Sequence, residues 1–127
     1  MSRSADVDEL RRRFAHLSKH GAKFDRALAT VLSGGVKEAR FSPSGRRVLT
    51  VVGRLGEEFV DPKKPYCSCS DFYFRVQSGK EPTCYHLLSY TIASESGWTD
   101  VVKFDDDEYP HFMRAVVADV YDVTSRG

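Results

Sequence analysis

All three cysteines of this 127-residue chain lie within eighteen positions, and a histidine follows the last of them. They form two pairs, Cys67 with Cys69 and Cys84 with His86, separated by fourteen residues. Three thiolates and one imidazole can complete a tetrahedral shell around Zn²⁺ at metal–ligand distances of about 2.0–2.3 Å. Because four protein ligands leave no open position for water, the pattern predicts a structural zinc site.

The same residues allow two other interpretations. Three ordinary buried thiols would need no metal, but an odd number of closely spaced cysteines next to a histidine favours metal binding. A Cys–His hydrolase would use Cys84 as nucleophile and His86 as base. Residues two apart on a helix point about 200° from each other, so we expect Cys84 just before a helix and His86 in its first turn. That placement suits ligation, and the chain is predicted not to be an enzyme.

Basic residues near the ligands could balance the charge of the site. Zinc bound by three thiolates and a neutral imidazole carries a net charge of −1, and surrounding hydrogen-bond donors commonly tune such sites. The candidates are Lys63, Lys64, Arg75 and Lys80. The alternative for all four is a solvated surface position.

The remaining histidines receive no role in this site. His16 and His20 are four residues apart, a spacing that can bind metal on a helix face, but no HExxH-type glutamate accompanies them. We interpret them as surface or half-buried helix residues. His111 is isolated in the sequence.

Residues 1–35 are predicted to form a helical hairpin. Apolar residues recur there at spacings of three and four, Gly21 interrupts the pattern, and Gly34 and Gly35 end it. The two apolar stripes are Val7, Leu10, Phe14 and Leu17, then Phe24, Leu28, Val31 and Leu32.

Residues 36–98 are predicted to carry the sheet and the metal site. β-branched and alternating runs bounded by turn residues predict strands at 36–42, 48–52 and 58–60. A helix should begin near Thr83 and end at Gly97. Its inner face would consist of Leu87, Leu88 and Ile92.

Residues 99–127 are predicted to form a C-terminal helix. The acidic run Asp105–Glu108 and Pro110 suit a helix start, where the helix dipole is positive. The acidic run could also meet a basic partner surface. The apolar stripe of this helix would be Phe112, Met113, Val116, Val117 and Val120. The whole chain is therefore predicted to be a single α+β domain, 1–127, with a small antiparallel sheet.

Charge is divided unevenly along the chain. Residues 1–64 hold fourteen Lys and Arg against eight Asp and Glu, whereas residues 65–127 hold five against ten. This division fits a basic face for nucleic acid and an acidic face for protein, or equally two halves that attract one another. No apolar run reaches the roughly 20 residues of a membrane span, and no signal peptide is evident, so a cytoplasmic protein without membrane contact is expected.

The pattern Cys67-x-Cys69-x14-Cys84-x-His86 resembles the SWIM zinc finger, in which CxC, a variable spacer and CxH follow a strand–strand–helix order. The segments CSCSDFYFRV and CYHLLSY are similar to archaeal stand-alone SWIM proteins and to the SWIM subunit of the Shu recombination complex. The resemblance covers residues 40–95. It departs at Ser89, where Shu-type members usually have alanine. It implies that Cys67, Cys69, Cys84 and His86 are the zinc ligands.

The resemblance also implies an accessory role in homologous recombination or DNA repair, exercised through a RecA-like recombinase paralogue. Aromatic residues in and after the spacer are the candidate contacts with that partner: Phe72, Tyr73, Phe74 and Tyr85. At least one of the first three is expected to belong to the core around the metal.

The alternative is a stand-alone DNA-binding or regulatory zinc protein. Direct contact with single-stranded DNA would combine stacking on aromatic rings with basic phosphate contacts. The candidate phosphate contacts are Arg40, Arg46, Arg47 and Arg54, with Arg11, Arg12, Arg13, Lys19 and Lys23 in the helical region. Arg11 to Arg13 could equally form the solvated face of an amphipathic helix.

Overall fold

Helices cover both faces of a five-stranded sheet in the computed structural model of this chain, which describes residues 3–53 and 56–126. Three one-turn or short segments supplement the main elements: 3₁₀ helices at Ala15–His20 and Asp106–Glu108 and a π-helix at Phe72–Val76. In chain order the elements are α1 (Arg3–Arg13), α2 (Ala22–Leu32), β1 (Val36–Ser42), β2 (Arg47–Val52), β3 (Glu57–Asp61), β4 (Tyr66–Cys67), α3 (Tyr85–Ser96), β5 (Asp100–Asp105) and α4 (Tyr109–Arg126).

The strand order in the sheet is β4-β3-β2-β1-β5. The first four strands pair antiparallel, but β5 runs parallel to β1, with Ala39 opposite Val102 and Phe41 opposite Phe104. The α+β class is confirmed, and the expectation of a purely antiparallel sheet is wrong. The chain crosses through the following segment and α3 from β4 at one edge of the sheet to β5 at the other, and β5 runs in the direction of β1 and opposite to β4.

The C-terminal prediction needs two corrections. Residues 100–105 form β5, so the last helix begins only at Tyr109 and does not occupy the whole of 99–127. Within α4, Val116 is buried as predicted, but Val117 is 52% exposed and does not belong to the inner face. A helix turns by about 100° per residue, so two adjacent valines cannot both face the sheet squarely.

The helical hairpin and the next helix agree with the predicted pattern. Leu10 and Phe14 of the first stripe and Phe24, Leu28 and Val31 of the second are buried. The 3₁₀ segment joins α1 to Gly21, whose φ of 60° favours glycine because it has no Cβ. Helix α3 ends at Gly97, which has a left-handed conformation as a C-terminal cap.

The two faces of the sheet carry separate apolar cores. On one face α1, α2 and α3 pack over Val36, Val51 and Val60, and this core includes Cys67, Cys69 and Cys84. On the other face α4 covers Phe41, whose ring packs against those of Phe104, Tyr109 and Phe112. Successive residues of a strand point to opposite faces of the sheet. Val36 and Phe41 of β1 are five positions apart and therefore lie in different cores.

The acidic run acts mainly as a helix start. The Asp105 and Glu108 side chains form a capping box, in which the Asp105 amide donates to Glu108 Oε2 at 2.8 Å. Asp106 accepts hydrogen bonds from the amide and the hydroxyl of Ser44, at 3.0 and 2.7 Å. These bonds join the β1–β2 turn to the 3₁₀ helix that leads into α4.

None of the helices within residues 3–53 and 56–126 combines the length and the apolar character that a membrane span requires.

Candidate metal centre

The four predicted ligands come together at one end of the sheet. Cys67 closes the edge strand β4, where it pairs with Val60 of β3, and Cys69 follows two residues later. Cys84 lies immediately before α3 with an extended backbone, and His86 is in the first turn of that helix. The placement predicted for the second pair is confirmed.

The arrangement of donor atoms fits a metal ion. One ligand atom from each of the four residues lies within 4.8 Å of all the others, and all four residues are buried. A tetrahedral zinc shell with 2.3 Å bonds has edges of about 3.8 Å, so small inward movements would close it. His86 Nδ1 is buried and has no hydrogen-bond partner among the described residues. An unpaired buried nitrogen is costly unless a metal takes it as a ligand.

The crowded thiols perturb one another's acidity. Hydrogen bonds from Cys67 and Cys69, helped by the backbone amides of Leu87 and His86 at the start of α3, outweigh burial and lower the pKa of Cys84 to about 4. The hydrogen bonds with Cys69 and Cys84 raise the pKa of Cys67, as does burial. The Phe72 amide also donates to Cys69 Sγ at 3.3 Å. The lowered pKa favours a thiolate at Cys84, whereas Cys67 would lose its proton only when a metal binds.

Gly53 lies beside the site, although the sequence indicates it only as the end of a strand. A Cβ at this position would overlap the Tyr85 hydroxyl and lie 2.8 Å from His86 Nε2. The centroid of the Tyr85 ring lies 4.0 Å from that of the His86 ring, and the Arg26 guanidinium lies over the Tyr85 ring at 5.3 Å. The absence of a side chain at 53 thus makes room for the histidine, and Tyr85 supports the ligand.

Glu58 is a second residue that sequence reasoning missed. It is 1% exposed, and burial raises the pKa of its carboxyl, although the hydrogen bond from Ser68 and the nearby His86 oppose that shift. Its Oε1 is buried without a hydrogen-bond partner in the described part of the chain. The sequence offered one indication of Glu58, an acidic residue at a core position of a strand, because an unpaired glutamate is seldom fully buried.

The aromatic residues of the spacer divide into packed and exposed sets. Phe72 packs against Tyr66 at 5.4 Å and against the core that contains the three cysteines, as expected for at least one of the three spacer aromatics. Tyr73 and Phe74 are 65% and 64% exposed and contact each other edge to face. They line a cavity of about 330 Å³ together with Tyr66 and the first ligand pair.

The basic residues expected around the site lie at the surface. Lys63, Lys64 and Lys80 are exposed, and Arg75 is exposed with its Nε 3.8 Å from Asp71. Lys23 of α2, by contrast, contacts Asp71 and Thr83 in the segment between the two ligand pairs. Sequence reasoning placed Lys23 among the phosphate contacts, because no local pattern links residue 23 to residues 71–83.

Two of the four candidate DNA-contacting arginines surround a buried carboxylate. Arg40 and Arg47 lie opposite each other on β1 and β2, and both donate to Glu38, which is 4% exposed. Arg46 is exposed and stacks over the Tyr109 ring at 4.6 Å. Arg54 lies outside the described residues. The structure brings Arg40, Arg46 and Arg47 to one end of the β1–β2 hairpin, and their role in DNA binding stays a prediction.

The Glu38 cluster predicts an acid-sensitive stability. Burial raises the pKa of Glu38, but hydrogen bonds from Arg47 and Arg40 outweigh it and lower the pKa below 4.5. A lowered native pKa stabilises the fold above the unfolded value, and that stabilisation is lost as the pH falls through the native pKa. We expect Glu38→Gln to reduce the free energy of unfolding at pH 7, with the difference from wild type shrinking below pH 4.5.

Urea unfolding of both proteins across pH 3–7 would measure this difference. Any metal release at low pH should affect both proteins alike and cancel in the comparison. A gap that stayed constant across the range would contradict the ion-pair explanation.

The other basic and histidine candidates lie in α1 and the 3₁₀ segment. Arg11 pairs with Asp25 at 2.8 Å, and Arg13 donates to the Glu95 carbonyl at 2.6 Å. Arg12 and Lys19 are exposed. His16 and His20 fall in the 3₁₀ segment, where three residues make a turn, so their spacing no longer aligns them on one face.

Searches of protein-family models, of curated proteins and of solved structures find no match to this chain. The resemblance to SWIM zinc fingers stays a prediction from the spacing of the four candidate ligands and from the segments around them.

Proposed function

We propose that the chain is a non-enzymatic, zinc-binding accessory protein of homologous recombination or DNA repair that acts through a RecA-like recombinase paralogue. The donor set supports zinc, because three thiolates and one imidazole match structural zinc sites and leave no position for a reacting water. When bound, zinc would supply a rigid link between β4 and α3. The metal would then have a structural role, and the protein would bind its partner through the surface beside the site.

The observation that carries the proposal is the exposed aromatic pair next to the metal centre. Tyr73 and Phe74 are exposed on the spacer, whereas the preceding residue, Phe72, packs against the core. Aromatic residues on a rigid support are typical anchors of protein interfaces, since they bury a large area at little cost in conformational entropy. The cavity that they line with Tyr66 could receive an apolar side chain of the partner.

Single-stranded DNA is the second candidate ligand, and the same surface supports it. Arg75 and Lys80 are exposed on the spacer with the two rings. Stacking on aromatic rings beside basic groups is a common mode of single-strand binding. Here Asp71 lies 3.8 Å from Arg75, which reduces the positive charge available to a phosphate.

Replacement of both exposed aromatics should separate these possibilities. We expect the double variant Tyr73→Ala, Phe74→Ala to bind a purified RecA-like paralogue at least about 30-fold more weakly than wild type, because loss of interface anchors costs about 2 kcal/mol or more. Isothermal titration calorimetry on zinc-loaded protein would measure this.

Tyr121→Ala is the matched control, since Tyr121 is 75% exposed but lies on α4, across the sheet from the spacer. Equal affinity of the double variant and wild type would contradict the proposed interface, and failure of wild type to bind any such paralogue of its source cell would contradict the partner. If labelled single-stranded DNA bound instead, with log K falling linearly against log salt, the second candidate would replace the first.

A further inference from the structure

Lys23 joins both ends of the spacer that separates the two ligand pairs. The spacer, residues 70–83, begins directly after Cys69 and ends directly before Cys84. Lys23 Nζ donates to the Thr83 carbonyl at 2.7 Å and lies 3.2 Å from Asp71 Oδ2. One ammonium group thus contacts the residue two positions after the first ligand pair and the residue immediately before the second.

The surroundings of this ammonium group favour a defined position. Its side chain is 24% exposed, and the Glu81 carboxylate lies 3.8 Å away as a second ion-pair partner. The lysine is carried by α2, which Phe24 and Ala27 anchor in the core. A partly buried ammonium with a carbonyl and two carboxylates around it is held more firmly than an exposed ion pair.

We propose that Lys23 is a positioning residue for the metal centre: by fixing the two ends of the spacer to α2, it holds the ligand pairs at the separation that the metal requires. This inference rests on the proposed zinc site. A spacer of fourteen residues that was tied only at its ligands would have to be ordered when the metal binds, which would reduce affinity. With the Lys23 contacts in place, much of that ordering accompanies folding.

The test is the zinc affinity of Lys23→Met, measured on the full chain by competition with a colorimetric zinc chelator. The substitution keeps the apolar stem and removes the ammonium group. We expect affinity to fall about 10-fold or more, the range found when groups that orient metal ligands are removed. Asp71→Asn should produce a smaller loss, because it leaves the hydrogen bond to the Thr83 carbonyl in place.

Lys19→Met is the matched control, since Lys19 is exposed on the preceding 3₁₀ segment. Thermal unfolding with and without zinc distinguishes positioning from general support of the fold. A residue that affects metal binding destabilises the zinc-loaded protein more than the zinc-free protein, because the two differences are linked through affinity.

The outcomes separate the inference from the proposed function. If wild type takes up zinc and Lys23→Met has the same affinity and the same zinc-dependent stabilisation, the role of Lys23 is refuted while the zinc site stands. If wild type takes up no zinc, the proposed metal centre fails and the inference fails with it. Far-ultraviolet circular dichroism of each variant verifies that the comparison is between folded proteins.

Discussion

Cys84→Ser should abolish stoichiometric zinc binding and lower the free energy of unfolding by more than about 4 kcal/mol, a size that points to loss of a metal or of a buried network. Cys84 is fully buried, precedes α3 directly and lies against the other two thiols. Structural zinc contributes about 10 kcal/mol or more in isolated finger peptides. The loss should be smaller here, because apolar cores on both faces of the sheet remain.

Metal analysis of purified protein and urea unfolding would measure the two parts of this prediction. Wild type should contain about one zinc per chain, and its treatment with a strong chelator should reproduce the stability of Cys84→Ser. Ser70→Ala, which leaves all four ligands intact within the same region, is the control. If Cys84→Ser retained zinc and had the same free energy of unfolding as wild type, Cys84 would not be a ligand.

Phe41→Ala should destabilise the protein by about 3–5 kcal/mol while leaving its zinc content unchanged. Phe41 is 1% exposed, and its ring centroid lies 5.1–5.4 Å from those of Phe104, Tyr109 and Phe112. Removal of the ring would open a cavity among these aromatics and weaken the packing of β1 against α4, while the backbone pairing of β1 with β5 would remain. The metal site faces the other side of the sheet, so its ligands keep their supports.

Urea unfolding with zinc in excess, together with metal analysis, would test both statements. Phe41→Leu retains much of the volume and should cost less than Phe41→Ala. Tyr121→Ala should change stability by less than about 0.5 kcal/mol, because its side chain is exposed. Zinc loss in Phe41→Ala without unfolding would show that the two cores are not separate.

The local parts of this architecture could be predicted from the sequence because each depends on nearby residues. The apolar spacing of Leu10 and Phe14, the cap at Gly97 and the position of Cys84 before a helix are all encoded within a few positions. The cluster of Cys67, Cys69, Cys84 and His86 could be predicted for the same reason, since closely spaced thiols and an imidazole are typical of metal sites.

The missed parts depend on residues that are distant in the sequence. Val101, Val102 and Phe104 could be read as a strand, but only their pairing with β1 makes β5 a parallel edge. Nothing near Gly53 indicates that it must make room for His86, 33 positions later. The contacts of Lys23 with Asp71 and Glu81, and of Lys37 with Asp100, join the basic and acidic halves of the chain, so part of the charge division is internal attraction.

The way in which the spacer is held determines where the chain could accept an insertion. Lys23 holds its two ends, and within it the Glu81 amide donates to the Arg75 carbonyl at 2.9 Å and closes the base of the exposed turn. Residues 77–80 lie between these points and are exposed, whereas Phe72 and Val76 pack against the core. The exposed tip can therefore be exchanged or lengthened without moving the candidate ligands, which makes it the place in the spacer where a tag or a binding peptide could be inserted.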